Sequence, residues 1–166
     1  MMTSGVFLLD ANVFIEAARR YYAFDIVPSF WPKLVMAAET GRVITIDRVR
    51  EEIVKNNDDL AQWLVDDFST WIASSSTPEV VQAYGVIMQW VYDAKRSFIS
   101  NAKSEFASGA DGWLIAYALV QSCCLVTHEA YKPDIQRKVP IPNVCRAFGI
   151  PYVDTFALMR ELSVVL

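Results

Sequence analysis

The sequence predicts a three-layer α/β/α sandwich around a central, mostly parallel sheet of four to five short strands. Three observations carry this. Several apolar runs are too short to be helices and read as buried strands. Longer stretches between them repeat their apolar residues at helical spacing. The two kinds alternate along the chain, an order that implies a parallel sheet covered on both faces. At 166 residues the chain has the length of one domain, 1–166, and at 54% hydrophobic it can bury a substantial core.

The first run, Val6 to Leu9, ends in Asp10 and passes directly into a helical pattern, Asn12 to about Tyr21. A second helix is expected from Phe30 to Thr40, with Trp31, Leu34, Val35 and Ala38 on one stripe and Gly41 as its stop. Val43 to Ile46 reads as the second strand. Asp47 is expected to cap a helix to about Lys55 that carries Glu51 and Glu52. Another helix follows, with Leu60, Trp63, Leu64 and Phe68 on one face. Ser74 to Pro78 is loop-like, and Pro78 suits the first turn of a long helix. That helix is expected to fray near Ser97 to Ser108. From Gly112 to Val120 a helix opened by Asp111 carries no charge on any face, the pattern of a helix packed on a sheet. Cys124 to Thr127 is a third strand, ending in His128-Glu129. A basic, mobile-looking stretch, Lys132 to Lys138, precedes a short helix with Pro142 in its first turn and Gly149 as its stop. Tyr152-Val153 is the last strand, and Thr155 is expected to cap a final helix.

Composition excludes several classes. A charged fraction of 20% argues against disorder, and a net charge of -4 gives no global pull toward nucleic acid. The N-terminus lacks a basic leader region, and the longest uncharged stretch, Gly112 to Thr127, is too short to span a bilayer. Cys123, Cys124 and Cys145 form no metal-type spacing and read as reduced thiols of a cytoplasmic protein.

In a parallel sheet, groups that follow each strand meet at one edge, where ligands collect at the point of strand-order reversal. Asp10 follows the first strand, and Glu51 or Glu52 lies a turn into the helix after the second. Asp111 opens the buried helix, and Glu129 follows the third strand. Clustered carboxylates repel one another, and a cation removes the conflict. Mg²⁺ or Mn²⁺ suits an all-oxygen site and supplies water activation and charge stabilisation at phosphorus.

Leu9-Asp10-Ala11-Asn12-Val13-Phe14-Ile15 resembles the opening motif of PIN-domain nucleases. Val49-Arg50-Glu51-Glu52-Ile53 resembles their second motif and favours Glu52. Ala110 to Ala116 resembles the third, with Asp111 opening a helix, and Leu125-Val126-Thr127-His128-Glu129 the fourth. The tail Val139 to Cys145 resembles an uncharacterised PIN-like subfamily of bacteria and archaea. The resemblance implies a Mg²⁺- or Mn²⁺-dependent endoribonuclease, often the toxin of a type II toxin–antitoxin pair. Asp10, Glu52, Asp111 and Glu129 would hold metal and position the hydrolytic water. Asn12 would orient Asp10, and Lys132, Arg137 and Lys138 would contact RNA phosphates, as would Arg48, Arg50 and Lys55 around Glu52. The implied partners are RNA, an antitoxin protein and a second copy of the chain. Two departures bear on activity: Ala11 lacks the hydroxyl usual after the first aspartate, and Glu129 replaces the more common aspartate. The non-enzymatic alternative is a PIN-like module that binds RNA or a partner protein.

Overall fold

The computed structural model describes residues 5–166; Met1 to Ser4, part of the segment read above for a leader, lie outside them. Four strands stand where the apolar runs place them: β1 (Phe7–Leu9), β2 (Val43–Ile46), and, beyond a short strand β3 (Ile72–Ala73), β4 (Cys124–Val126) and β5 (Tyr152–Val153). All pair in parallel, in the order β3-β2-β1-β4-β5. Leu8 at the centre lies opposite both Ile44 and Leu125. All three residues of β1 are buried, because β1 has a strand on each side and helices on both faces. β3, two half-buried residues entered from a 3₁₀ turn at Ser69–Trp71, escapes detection because no Gly or Pro separates it from the apolar face of α4, whereas the equally short β5 is set off by Gly149 and Pro151.

The helices are α1 (Ala11–Glu16), α2 (Phe30–Glu39), α3 (Asp47–Val54), α4 (Asp59–Asp67), α5 (Pro78–Tyr92), α6 (Ser100–Ser108), α7 (Asp111–Gln121), α8 (Ile141–Phe148) and α9 (Thr155–Glu161). α1 continues into a π turn, Ala17–Tyr21, closed by the Tyr22 N–H on the Ala17 carbonyl at 2.8 Å. Thr77 accepts from the Val80 N–H ahead of Pro78, which starts α5 as expected of proline in a first turn. Gly41 and Gly149 end their helices at φ +78° and +68°, the left-handed region that glycine enters without strain.

Three expectations change. The segment expected to fray holds its own helix, α6, anchored by buried Ala102 and Phe106. Asp154, not Thr155, caps α9 by accepting the Ala157 N–H at 2.8 Å; Thr155 is buried, with its hydroxyl 3.0 Å from His128 Nε2. Asp47 is the first residue of α3 rather than its cap, and its Oδ1 accepts both the backbone N–H and the hydroxyl of buried Ser75. That bond holds the loop after β3 against α3. Among the described residues no helix is long and apolar enough to cross a membrane.

α7 packs against α5, and Gly112 sets how closely. A Cβ at Gly112 would lie 2.9 Å from Tyr84 Cε2 and 3.2 Å from Phe106 Cε1. Tyr84 cannot step aside freely: its ring stacks on Trp113 at 3.9 Å, and its hydroxyl donates to the Ala107 carbonyl. Gly112→Ala is therefore expected to destabilise. Overpacking costs about 1–3 kcal/mol, against a gain of about 0.5–1 kcal/mol from replacing glycine within a helix. A net loss of about 1 kcal/mol lowers Tm by about 2–4 °C for a domain of this size. A thermal melt of the two proteins checks it.

Candidate active site

The strand order reverses beside β1: β2 and β3 lie on one flank, β4 and β5 on the other. The carboxyl ends of β1 and β4 therefore flank the crevice where open α/β sheets bind ligands. Asp10 leaves β1 at that point with its N–H on the Val126 carbonyl, 3.0 Å away, and is only 3% exposed. The Thr127 hydroxyl, at the end of β4, donates to Asp10 Oδ2 at 3.1 Å and accepts the Glu129 N–H at 3.1 Å. One buried hydroxyl thus ties the acid after β1 to the segment carrying the acid after β4.

The other acids come from helix ends. Glu52, on α3, accepts the Ala110 N–H through Oε1 at 3.0 Å, fixing α3 to the N-terminus of α7. Asp111 is the first residue of α7, where the helix dipole favours a negative charge. Glu129 accepts the Ile141 N–H at 3.0 Å through Oε1, and its Oε2 lies 3.5 Å from Lys138 Nζ. Glu52, Asp111 and Lys138 line a cleft of about 270 Å³, bounded on its far side by Glu105 and Phe106 of α6. Glu51 is exposed, whereas Glu52 is half-buried at the cleft.

Electrostatics follow from burial. The Asp10 carboxyl is pushed up to about 7, chiefly by loss of water and next by the Glu129 charge; the Thr127 hydroxyl and the Ala11 N–H oppose the rise. Asp111 is also raised well above the usual carboxylate range, first by burial, then by Asp10, Glu129 and Glu52, with Lys138 the opposing cation. Glu52 and Glu129 thus act on both aspartates and Asp10 acts on Asp111, and one ammonium does not balance them. Such a set takes up a proton or a cation, and its donors are all hard oxygens of the kind that Mg²⁺ and Mn²⁺ accept. By chemistry the donor set fits such an ion. Among the described residues, however, no three His, Cys, Asp or Glu side chains form a ready-made cage. Glu52 and Glu129 each hold a backbone N–H with one oxygen.

The remaining candidates separate. Asn12 is exposed on the first turn of α1, and Asp10 is oriented instead by Thr127 and the Ala11 N–H. Ala11 is buried, 5% exposed. Arg48 faces inward: its guanidinium lies 3.8 Å over the Trp113 ring, and its Nε donates to Ser75. Arg50 is half-buried and Lys55 exposed. Lys132, Arg137 and Lys138 are exposed, but their loop is tied down. Asn143 exchanges two hydrogen bonds with the Lys132 backbone, and Gln136 accepts the Ile99 N–H. Asn143 and Thr127 are the supporting residues that sequence reasoning passed over; the threonine two places before Glu129 was the available signal for the second. Of the aromatics, Trp31 is 2% exposed and lies in the core, while Tyr131 is at the surface.

Comparison with known proteins fits this geometry. The domain described as "Domain of unknown function (DUF4411)" matches residues 7–166. No curated protein matches the chain. A solved structure, FitAB bound to an IR36 DNA fragment, is similar in fold. Its TM-score is 0.51 at 17% identity, over 97% of this chain and 99% of that one. The chain belongs to the DUF4411 family, and its fold is PIN-like.

Proposed function

We propose that the protein is a metal-dependent endoribonuclease. The observation that carries this is the pair Asp10 and Asp111: a buried and a half-buried acid from distant parts of the chain, each raised by loss of water and by other acids of the site, with Lys138 acting on Asp111 and, among the described residues, no cation on Asp10. Structural ion pairs neutralise their charges; this cluster leaves them unbalanced, a pattern that marks functional sites. Asp10, Glu52, Asp111 and Glu129 would hold Mg²⁺ or Mn²⁺, which when bound activates water and neutralises charge on a phosphoryl oxygen. The protein's own part is to hold Asp10 through Thr127, to fix Glu52 against α7, and to keep the cluster at a sheet edge reached by the cleft. Lys138, Arg137 and Lys132 lie on the loop beside the cleft and would meet the phosphates of RNA, as would Asn12 from α1. Binding should then weaken with salt. A role as the toxin of a type II toxin–antitoxin pair, possessing a cognate antitoxin and forming a homodimer, belongs to the same reading. It is supported by the PIN-like fold and by the likeness to FitAB, which was solved bound to DNA.

One observation favours a second reading, a catalytically weak module that binds RNA or a partner protein. Glu52 and Glu129 are each committed to a backbone N–H, and Ala11 offers no hydroxyl to the site. Incubation of RNA with Mg²⁺, Mn²⁺ or chelator separates the two. Metal-dependent cleavage that disappears in Asp111→Asn supports the nuclease. RNA left intact throughout, with binding unchanged by chelation, supports the module.

A further inference from the structure

A second cavity, of about 340 Å³, lies beyond the cleft along the same seam. Both are walled by the α5–α6 region on one side and the loop after β4 on the other. Ser97 and Phe98 border the second cavity and Ala102 and Phe106 the cleft; across the seam, Gln136 borders the cavity and Lys138 and Val139 the cleft. The Ile99 N–H bonded to the Gln136 carbonyl at 3.0 Å closes the seam between them. One residue of chain, Arg137, separates Gln136 at one opening from Lys138 at the other, a span of at most about 7 Å. Exposed Arg137 stands on that ridge beside Lys138.

The chemistry of the second cavity differs from that of the acidic site. Lys95 and Arg96 line it, and neither forms an ion pair with a described residue. The Arg96 guanidinium lies 4.3 Å over the Trp90 ring, which holds the side chain beside the cavity. Its Nε is sealed from water, so the charge of the guanidinium together with Lys95, rather than that nitrogen, is what the cavity offers an anion. Tyr131, 39% exposed, also lines the cavity, with Arg146 lying 3.8 Å over its ring and outside the lining. The Gln136 amide and the Asp134 carboxylate, both on exposed residues, offer donors and acceptors to a heterocycle edge. An aromatic side chain, two cations that form no ion pair with a described residue, set against one carboxylate, and polar edge groups in a space of this size match one nucleotide. Single-stranded RNA is held in this way, by stacked bases and charge-paired phosphates.

We propose that this cavity binds one nucleotide of the RNA strand outside the cleavage point, its phosphate on Arg96 and Lys95 and its base on Tyr131. The inference rests on the RNA reading above, with the strand running over Arg137 and Lys138 between the two openings. The side chains of this site touch none of the four acids, so it can be tested apart from catalysis.

The test follows the Trp90 indole N–H by NMR, assigned with Trp90→Phe, in the full-length protein with chelator. The probes are uridine monophosphate, inorganic phosphate, a dinucleotide that spans only the cleft, and a single-stranded RNA of eight nucleotides. The monophosphate is expected to shift the Trp90 signal, and the eight-mer to bind at least about tenfold more tightly than the dinucleotide, in line with stacking of one base or more. Tyr131→Ala and Lys95→Glu should abolish that length gain while leaving metal-dependent cleavage of the dinucleotide, which does not reach these residues, unchanged. A gain that persists in both variants overturns the proposal, as does a Trp90 signal that no probe moves. Inorganic phosphate matching the monophosphate in affinity overturns the nucleotide assignment in favour of a simple anion site. A monophosphate that binds with no length gain in RNA overturns the strand assignment. Absence of cleavage with every metal defeats the nuclease reading alone, since a Trp90 response with a length gain sustains the RNA subsite without it.

Discussion

Asp10→Asn is expected to do two opposite things: abolish metal-dependent RNA cleavage and stabilise the metal-free protein at pH 8. The first follows from its place at the centre of the acid cluster. Loss of outer-shell groups at metal sites costs about 10–100-fold, and a ligand itself should cost at least the upper figure. The second follows from the unbalanced charge. At pH 8 wild-type Asp10, with its carboxyl raised to about 7, is ionised in a dry site beside Glu129. An amide carries no charge, still accepts from the Thr127 hydroxyl through its oxygen, and removes the repulsion with Glu129. Tm should rise by about 5 °C, corresponding to one or two kcal/mol in a domain of this size. Melting curves in chelator and a cleavage assay on the same preparations check both halves. A Tm that falls in the variant would mean that Asp10 serves a structural role. The opposition of stability and activity is what a preorganised, strained site produces.

The longer strands that the sequence discloses have neighbours on both sides, while the two-residue edge strand β5 is set off by Gly149 and Pro151 before it and the cap of α9 after it. Val43 to Ile46 and Cys124 to Val126 flank β1, so burial forces an apolar run long enough to see. β3 is a two-residue edge and is specified by what surrounds it: the 3₁₀ turn before it and the Asp47–Ser75 bonds after it. The placement of Asp10, Asp111 and Glu129 at strand and helix ends was legible for a related reason, since parallel strands send every following residue to one edge. Side-chain commitments were not legible. Arg48 reads as a free cation beside Glu52, yet its partner, Trp113, lies on another helix far along the chain. Lys132 to Lys138 reads as loose because the residue that pins it, Asn143, lies in α8 and looks like an ordinary helix residue.

Ala11 illustrates how chemistry missing at one position can be met from another. The sequence suggests a lost hydroxyl beside Asp10. In the fold, Thr127 from the adjacent strand supplies one to Oδ2, and the Ala11 backbone N–H supports the carboxylate as well. The departure therefore does not leave Asp10 unheld. Glu52 and Glu129 each give one oxygen to a backbone N–H, and the second oxygen of Glu129 already faces Lys138, which a metal ion would have to displace.

Metal and pH are expected to act on stability through the same two acids. Asp10 and Asp111 have folded-state values above their unfolded value of 3.8. The folded state therefore binds more protons than the unfolded state across this interval, and stability falls as pH rises. The contribution is complete below about 4 and is lost as pH passes about 7 for Asp10, with Asp111 adding in the same direction. At about 1.4 kcal/mol per pH unit for each proton retained, the loss reaches a few kcal/mol. A divalent cation competes with those protons, so it should stabilise little at pH 5 and strongly at pH 8. A concentration of one hundred times Kd contributes about 2.7 kcal/mol. Melts from pH 4.5 to 8.5, with chelator and with millimolar Mn²⁺, should give two curves that meet at the acid end and diverge toward the alkaline end. In Asp10→Asn both the slope of the chelated curve and the gap between the curves should shrink. Parallel curves, with the same Mn²⁺ effect at pH 5 and pH 8, would place the cation away from these carboxylates.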